Sequence, residues 1–261
     1  MNCLIETALL THGLRSIANE ELAQSWHCPD AILAWVDGGK LKLGPIGEYL
    51  PFRERSEELV RIDCDHLEEA LQTGASGALT ASGTMAVCRR LDIPMAITCG
   101  MGGIGDLRGE ELCPDLPALM NIPVALISTS PKDMLDRPAT LDWLRRHGVH
   151  TAGEPCTGYL FCGEPVALEL PLSSCNNEAA VRRLTANGGL LILNPIPEKE
   201  RVQDRSILVD AIKAGKQAEA DGHYYHPAAN GEIDRRTDGY SSRIQLESIQ
   251  QNYLLAKSIM D

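Results

Sequence analysis

Short apolar runs that alternate with helical stretches limit this chain to a fold that layers helices against a sheet. Most of the runs are nearly continuous, which is typical of strands covered on both faces. We predict strands at Leu4–Leu10, Ala31–Val36, Leu59–Ile62, Ala78–Ala81, Met95–Thr98, Val124–Ser128, Val166–Leu170 and Leu190–Leu193. This pattern predicts an α/β protein.

Helical periodicity fills the intervals between those runs. We predict helices at Asp65–Thr73, Gly83–Leu91, Ala139–His147, Asn177–Asn187, Asp204–Asp221 and Ser241–Met260. The polar segment Gly222–Tyr240 contains Gly, Pro, Asn and Asp, and we interpret it as a long loop. Because the sequence contains no repeat or linker, it predicts a single domain over residues 1–261, a three-layer α/β/α sandwich with a central mixed sheet.

The charge of the chain argues against two classes of partner. The formal net charge is −12, and an acidic surface repels the phosphates of nucleic acids and of anionic membranes. No apolar run approaches the roughly 18 residues of a membrane helix, and the first residues lack the basic region of a signal peptide. We therefore expect a cytoplasmic protein without nucleic-acid or membrane partners.

The nine cysteines fit a reducing compartment. Their number is odd and no two of them form a C-x-x-C pair, so a disulfide framework and a zinc site are both disfavoured. We expect reduced thiols, most of them small residues of the core.

A carboxylate interrupts the first apolar run. Glu6 lies within Leu4–Leu10, and a buried charge needs a partner or a raised pKa. The residues alone leave two interpretations open, a catalytic acid or base and an edge-strand glutamate that faces water. His12, at the end of the same run, is interpreted as structural.

A glycine-rich block follows the strand predicted at Met95–Thr98. The block Cys99–Gly109 contains five glycines in eleven residues, which lets the backbone approach a ligand and direct N–H groups toward an anion. It has neither the G-K-[ST] ending of a P-loop nor a dinucleotide-binding fingerprint. In open α/β sheets, ligands bind at such strand ends, so the block favours a phosphate or sugar site.

Lys132 follows the strand Val124–Ser128 at the same kind of position. If the lysine is desolvated, its pKa falls and it can attack a carbonyl to form an imine. A solvated lysine in the first turn of a helix is the alternative.

Three further features have ordinary explanations. Asp115 in a proline-rich turn can cap a helix, or can hold a divalent cation mainly through water. Asn194–Glu198, with two prolines, can be a rigid turn at the sheet edge. His223 and His226 have the spacing of a metal pair, but we interpret them as surface histidines because no further ligands accompany them.

These motifs, in this order, resemble the pseudouridine-5′-phosphate glycosidase family, also called indigoidine synthase A-like. The matching pieces are collinear over nearly the whole chain: Ile5–Thr7, Thr11–Gly13, Gly74, Gly77–Ser82, Gly102–Gly105, Arg108-Gly109, Lys132, Leu135-Asp136, Asn194–Glu198 and Ser242–Leu246. The glutamate strand, the glycine-rich block and N-P-I-P-E together are specific for this family.

The resemblance implies a C-glycosidase that cleaves a C-nucleoside 5′-phosphate, such as pseudouridine 5′-phosphate, to ribose 5-phosphate and a base. It implies that Lys132 is the nucleophile that attacks C1′ of the opened ribose, that Glu6 donates and accepts the proton, and that Asp115 binds Mn²⁺. The substrate contacts that it implies are Arg61, Thr80 and Ala81. It also implies that the protein forms a homo-oligomer, and that this oligomer is a trimer.

Departures from the family pattern fall on polar positions. Arg61 stands where members carry a phosphate-binding lysine, and it keeps the charge. The block loses its histidine at Asp106-Leu107, Pro117 and Leu119 replace a serine and an aspartate, and Arg243 replaces an asparagine. Because groups expected to address the base and the ribose are lost, two alternatives stay open. One is a C-glycoside synthase for a non-uracil aglycone, and the other is a non-catalytic phosphosugar-binding homologue.

Overall fold

A large mixed sheet forms the centre of the protein in the computed structural model, which describes residues 1–105, 113–186, 188–223 and 225–260. The strands are β1 (Cys3–Ile5), β2 (Leu33–Asp37), β3 (Lys40–Gly44), β4 (Val60–Ile62), β5 (Gly77–Leu79), β6 (Met95–Ile97), β7 (Gly100–Met101), β8 (Ala125–Ser128), β9 (Ser130–Pro131), β10 (His150–Gly153) and β11 (Leu190–Leu193).

The strand order explains why the sheet is mixed. The main sheet runs β10-β11-β8-β6-β1-β2-β5-β4, with β3 paired to β2. Strands β10, β11, β8, β6, β1 and β2 are parallel, whereas β5 and β3 both pair antiparallel with β2. Strands β7 and β9 form a small parallel sheet of their own. The carboxyl ends of β1, β6 and β8 therefore lie side by side, with Ile5, Ile97 and Ile127 in one row.

Side chains alternate between two buried faces along the central strands. In β11, Leu190 and Ile192 pack into one hydrophobic cluster, whereas Leu191 and Leu193 pack into the other. All four residues are at most 2 % exposed. Successive side chains of a strand point to opposite faces, so a continuous apolar run is what a sheet covered on both sides requires.

Helices cover both faces. They are α1 (Asn19–Ser25), α2 (Ile46–Arg53), α3 (Leu67–Thr73), α4 (Ala81–Arg90), α5 (Asp115–Asn121), α6 (Arg137–Arg146), α7 (Glu178–Ala186), α8 (Ser206–Ala220), α9 (Tyr225–Arg236) and α10 (Tyr240–Met260). Helices α3 to α6 contribute to one cluster, and α1, α2 and α7 to α10 to the other. The predicted α/β class, with a central mixed sheet between helical layers, is confirmed.

Two strand predictions are wrong. The first apolar run leaves the sheet after Ile5, and residues Leu9–Gly13 form a π-helical turn. Val166–Leu170 forms only isolated bridges, among them Ala152 with Leu170. Strands β3 and β10 and helices α1, α2 and α5 lie where no element was predicted. The predicted helix end at Asn187 falls outside the described residues.

The interpretation of Gly222–Tyr240 as a long loop is also wrong, because α9 occupies most of it. The helix buries Tyr225, Ala229 and Ile233, whose spacing of four residues places them on one helical face. The sequence already shows this spacing, although the composition of the segment is polar. Within the described part of the chain, no helix combines the length and the apolarity needed to cross a membrane.

Candidate functional site

A cavity of about 650 Å³ opens where several strands end. Four residues singled out from the sequence line it, namely Arg61, Thr80, Asp115 and Lys132. The rest of the wall comes from residues after β4, the start of α4, Gly102, the two residues before Asp115, the end of α8, the start of α9, and Gly222 and His223 between those two helices. Residues more than seventy positions apart in the chain therefore meet at one site. The volume lies within the range that small-molecule sites occupy.

Thr7 explains how the antiparallel strand β5 reaches this end of the sheet. Its backbone N–H donates to Leu79 O at 3.2 Å, and its hydroxyl accepts a bond from the Leu79 N–H at 3.0 Å. The same hydroxyl donates to Ala34 O at 2.8 Å. Thr7 thus ties the end of β1 to β2 and β5, which places Thr80 beside the residues that follow β1.

Glu6 follows β1 directly and is only 6 % exposed. Its backbone N–H donates to Ile97 O at 2.9 Å, which fixes its position at the edge of the sheet. Burial raises the pKa of the Glu6 carboxyl to about 7, a contact with Thr98 lowers it in part, and the charge of Asp115 raises it further. Glu6 is thus buried, and the alternative of an edge-strand glutamate facing water does not apply. Near neutral pH its carboxyl can both donate and accept a proton.

Lys132 enters the cavity from the end of β9. Its backbone N–H donates to Met101 O at 3.2 Å, so the small β7–β9 sheet sets its position. Burial lowers the pKa of the Lys132 ammonium, and the positive charge of Arg61 lowers it further. The charges of Glu6 and Asp115 act in the opposite direction. A larger fraction of Lys132 is therefore a neutral amine, the form that attacks a carbonyl.

Asp115 joins two segments that line the cavity. It is the first residue of α5, and its Oδ1 accepts a bond from the Ser82 N–H at 3.1 Å, while its Oδ2 accepts one from the Gly102 N–H at 2.8 Å. A Cβ at position 102 would lie 2.0 Å from Cys113 Sγ, so only glycine allows this close approach.

Replacing Asp115 by alanine should destabilise the protein by about 2 to 4 kcal/mol, because two buried N–H groups would lose a charged acceptor. Urea unfolding of the wild type and the variant in the presence of EDTA measures the loss. If Asp115 mattered only through a metal ion, the two proteins would unfold at the same urea concentration once EDTA had removed the ion.

The donor set at Asp115 offers limited support for the predicted Mn²⁺. Both carboxylate oxygens already accept backbone bonds. The described ranges contain no group of three His, Cys, Asp or Glu side chains placed to hold a metal ion. A cation there would take one protein ligand from these residues and otherwise water. Mn²⁺ at Asp115 stays a prediction.

Thr80 and Ala81 form the beginning of α4. The Thr80 hydroxyl accepts a bond from the Gly83 N–H at 3.3 Å and so caps the helix. A Cβ at Gly83 would lie 2.2 Å from Ile62 O, so glycine lets the helix approach β4. Thr80 lines the cavity, whereas Ala81 is 3 % exposed and is not among the lining residues.

The interpretation of His226 as a surface residue is wrong. It lies in the first turn of α9, is partly buried and lines the cavity, whereas His223 at the same rim is exposed. Burial lowers the pKa of the His226 imidazole to about 2, and the charges of Lys132 and Arg61 lower it further. Sequence reasoning missed this residue because the helix that carries it was interpreted as a loop.

A buried hydrogen-bond network supports the site from behind. Asn252 on α10 donates to Thr98 O at 2.7 Å and accepts a bond from Asn194 Nδ2 at 3.0 Å. Asn252 therefore connects the N-P-I-P-E segment to the end of β6, beside Glu6. Arg243 lies elsewhere, on the surface, where it pairs with Glu21 at 3.1 Å.

The glycine-rich block lies partly within the described residues. Gly102 lines the cavity, but Asp106, Arg108 and Gly109 lie outside the described residues. The nine cysteines all lie within the described part and form no disulfide with one another. Five of them are buried, and their reduced state stays a prediction.

Solved structures of other proteins show which class of fold this chain adopts. An indigoidine synthase A (IdgA)-like protein from Thermotoga maritima superposes with a TM-score of 0.77 at 19 % identity, covering 98 % of this chain and 91 % of the other. The prealnumycin C-glycosynthase AlnA, solved in complex with ribulose 5-phosphate, gives 0.75 at 22 % identity with the same coverage. At these identities the likeness establishes the fold.

The family follows from the sequence comparison. The family model described as indigoidine synthase A like protein matches residues 4–260, so the chain belongs to the indigoidine synthase A-like family. Among relatives, a pseudouridine-5′-phosphate glycosidase of Methylobacterium nodulans is 28 % identical over 98 % of this chain and 81 % of its own length. Another of that name, from Caldanaerobacter subterraneus, is 29 % identical over 95 % of this chain and 87 % of its own length.

Proposed function

We propose that this protein is an enzyme that breaks or forms a carbon–carbon bond between C1 of a pentose 5-phosphate and an aglycone, by way of an imine on Lys132. One observation carries the proposal. Lys132 and Arg61 line one cavity, and Glu6 is buried at the end of β1, close enough for its charge to act on Lys132, whose pKa is lowered, while its own pKa is raised to about 7. Such opposed shifts place a nucleophile and a proton carrier in working forms near neutral pH.

In the cleavage direction, the bond from C1 to the ring oxygen breaks and that oxygen takes a proton from Glu6. The neutral amine of Lys132 then bonds to C1 through Nζ and returns a proton to Glu6. The nitrogen lone pair then forms the C=N bond as the bond from C1 to the aglycone breaks. The electron pair of the broken bond takes a proton, supplied by Glu6, and the aglycone leaves with a new C–H bond. Water hydrolyses the imine to the free sugar phosphate and regenerates the amine. Synthesis is the reverse sequence.

Arg61 is the phosphate-binding group of this proposal. It lines the cavity with Lys132, and the ion pairs among the described residues include neither of these two cations. Guanidinium groups bind phosphate through two parallel hydrogen bonds. The names of the relatives support a phosphosugar, since AlnA is described with ribulose 5-phosphate and the glycosidases act on a nucleoside 5′-phosphate.

A C-glycoside synthase for a non-uracil aglycone is the second candidate. Pro117 and Leu119 take the place of two polar residues of the family pattern, and Leu119 is fully buried in the core. A base-binding site without those groups should select against uracil. A panel of aglycones offered with ribose 5-phosphate separates the candidates. Efficient cleavage of pseudouridine 5′-phosphate supports the glycosidase, and turnover of other aglycones alone supports the synthase.

The decisive experiment for either candidate is reduction with borohydride in the presence of ribose 5-phosphate. A mass increase of the intact protein by one reduced sugar phosphate is the expected result. A protein that binds the sugar in calorimetry but gains no mass would instead be a non-catalytic phosphosugar-binding homologue. The homotrimer implied by the family resemblance stays a prediction, which light scattering tests.

Replacing Arg61 by glutamine should weaken ribose 5-phosphate binding by about 100-fold, since a charge-assisted bidentate contact is lost. It should also raise the pKa of Lys132, because the charge of Arg61 lowers it. Imine formation would then require a higher pH.

Calorimetry and the pH dependence of trapping measure the two effects of the Arg61 substitution. Arg55→Gln is the matched control, since Arg55 pairs with Asp37 at 2.8 Å on the surface. Equal losses for ribose and for ribose 5-phosphate in Arg61→Gln would contradict a phosphate contact.

A further inference from the structure

The imidazole of His226 is a polar group in the cavity to which the proposed chemistry assigns no role. It lies on the part of the cavity wall that α9 forms. Its Nδ1 is buried, and no hydrogen-bond partner for this atom occurs among the described residues. A buried polar atom without a partner costs free energy of folding, so native structures retain few of them. An atom of this kind in a ligand-sized cavity indicates that a ligand completes the bond.

The surroundings of His226 determine the charge of the group that it can bind. Two cations lie near enough to affect it, Lys132 and Arg61, and together with burial they keep the ring neutral at any physiological pH. A neutral imidazole carries one N–H donor and one nitrogen acceptor. A hydroxyl group can satisfy either nitrogen, because it both donates and accepts. Arg61, by contrast, is suited to an anion.

The positions of Lys132 and Arg61 indicate which part of the ligand His226 can contact. In the function proposed above, the phosphate lies on Arg61 and C1 on Lys132. A pentose phosphate held at both ends places its C2, C3 and C4 hydroxyls between those two residues. His226 senses the charge of both and lines the same cavity. A hydroxyl in the middle of the sugar would therefore lie in the same cavity as His226.

We propose that His226 binds a hydroxyl group on the C2–C4 segment of the open-chain pentose 5-phosphate and thereby selects the sugar. The inference rests on the proposed function. It adds a residue that recognises the sugar rather than the phosphate or the aglycone. It also accounts for an α9 helix that presents a polar ring to the cavity while Ala229 and Ile233 of the same helix face the core.

Calorimetry with a set of sugars tests this assignment. Wild type, His226→Ala and His226→Asn are each titrated with ribose 5-phosphate, 2-deoxyribose 5-phosphate and 3-deoxyribose 5-phosphate, and with the C2, C3 and C4 epimers of ribose 5-phosphate. His223→Ala is the matched control, because His223 lines the rim of the same cavity but is exposed. Thermal unfolding confirms that each variant is folded.

The expected result is a change in discrimination. The wild type should bind ribose 5-phosphate about tenfold more tightly than each analogue in which the contacted hydroxyl is missing or inverted. His226→Ala should bring ribose 5-phosphate and those analogues within about twofold of one another, as in a double-mutant cycle, and leave the preference among the other sugars unchanged. His226→Asn, which retains a polar group, should show part of the wild-type preference. The control His223→Ala should show the full wild-type preference.

Two results would overturn the inference. If His226→Ala weakened every sugar phosphate equally, or changed none, His226 would not contact a hydroxyl, although the proposed function would stand. If the wild type bound no pentose phosphate at all, the proposed function would fail, and the role of His226 would fail with it.

Discussion

Lys132→Ala is expected to abolish the borohydride-dependent mass increase with ribose 5-phosphate and to lower turnover by at least about 10³-fold. An imine needs a neutral amine, and Lys132 is a lysine of the cavity whose pKa is lowered by burial and by Arg61. Reduction converts the C=N bond to a stable secondary amine, so peptide mass spectrometry of the wild type should place the sugar on this residue.

Two further variants distinguish lost chemistry from lost structure. Lys132→Arg keeps the positive charge but supplies no nucleophile, so it should bind the sugar phosphate and yield no adduct. Lys199→Ala removes a lysine that is 83 % exposed and should behave as the wild type. An adduct that persists in Lys132→Ala and maps to another lysine would show that Lys132 is not the nucleophile.

Glu6→Gln is expected to lower turnover by about 10² to 10⁴-fold while stabilising the protein above pH 7. The pKa of Glu6 is about 7 in the folded protein, against 4.5 for an ordinary glutamate. Folding therefore favours the protonated form, and the wild type loses stability as pH rises from 4.5 through 7. Glutamine stays neutral, so the gain should reach about 3 kcal/mol at pH 8 and fall below about 0.5 kcal/mol at pH 4.5.

Urea unfolding at pH 4.5 and pH 8 measures this stability difference. Glu20→Gln, on the exposed side of α1, is the matched control and should change neither stability nor turnover. The rate should show the same titration: cleavage by the wild type should fall as pH rises above about 7, since Glu6 then loses the proton that it donates. If Glu6→Gln had equal stability to the wild type at both pH values, Glu6 would not carry a buried charge.

The strands that the sequence predicted well are those with both faces buried. Leu190–Leu193 is a strand over the predicted residues, and Val124–Ser128 differs by one residue. Strand β3, Lys40–Gly44, alternates exposed and partly buried positions and was missed, as was β10, His150–Gly153, which has little apolar character. Continuous apolar runs are readable in a sequence, whereas an edge strand depends on a neighbour that the sequence does not identify.

The candidate site was predictable as a set of residues but not as an arrangement. Glu6 lies in an apolar run that the sequence indicates and Lys132 follows another, whereas Asp115 begins helix α5, which was not predicted. Their mutual effects on pKa could not be read from the sequence, because burial and the distance between charges depend on the folded chain. Asn252 was missed for the same reason, since its partners Thr98 and Asn194 are far away in sequence.

The sequence by itself determined the α/β class, the family resemblance and the residue types available for chemistry, because these depend on periodicity and on local motifs. Only the tertiary structure decided that Thr7 joins the end of β5 to the end of β1, and that His226 of α9 lines the cavity. The physical reason is the same in both cases. Contacts between distant segments, and the loss of water that follows, set which side chains meet and what charge they carry.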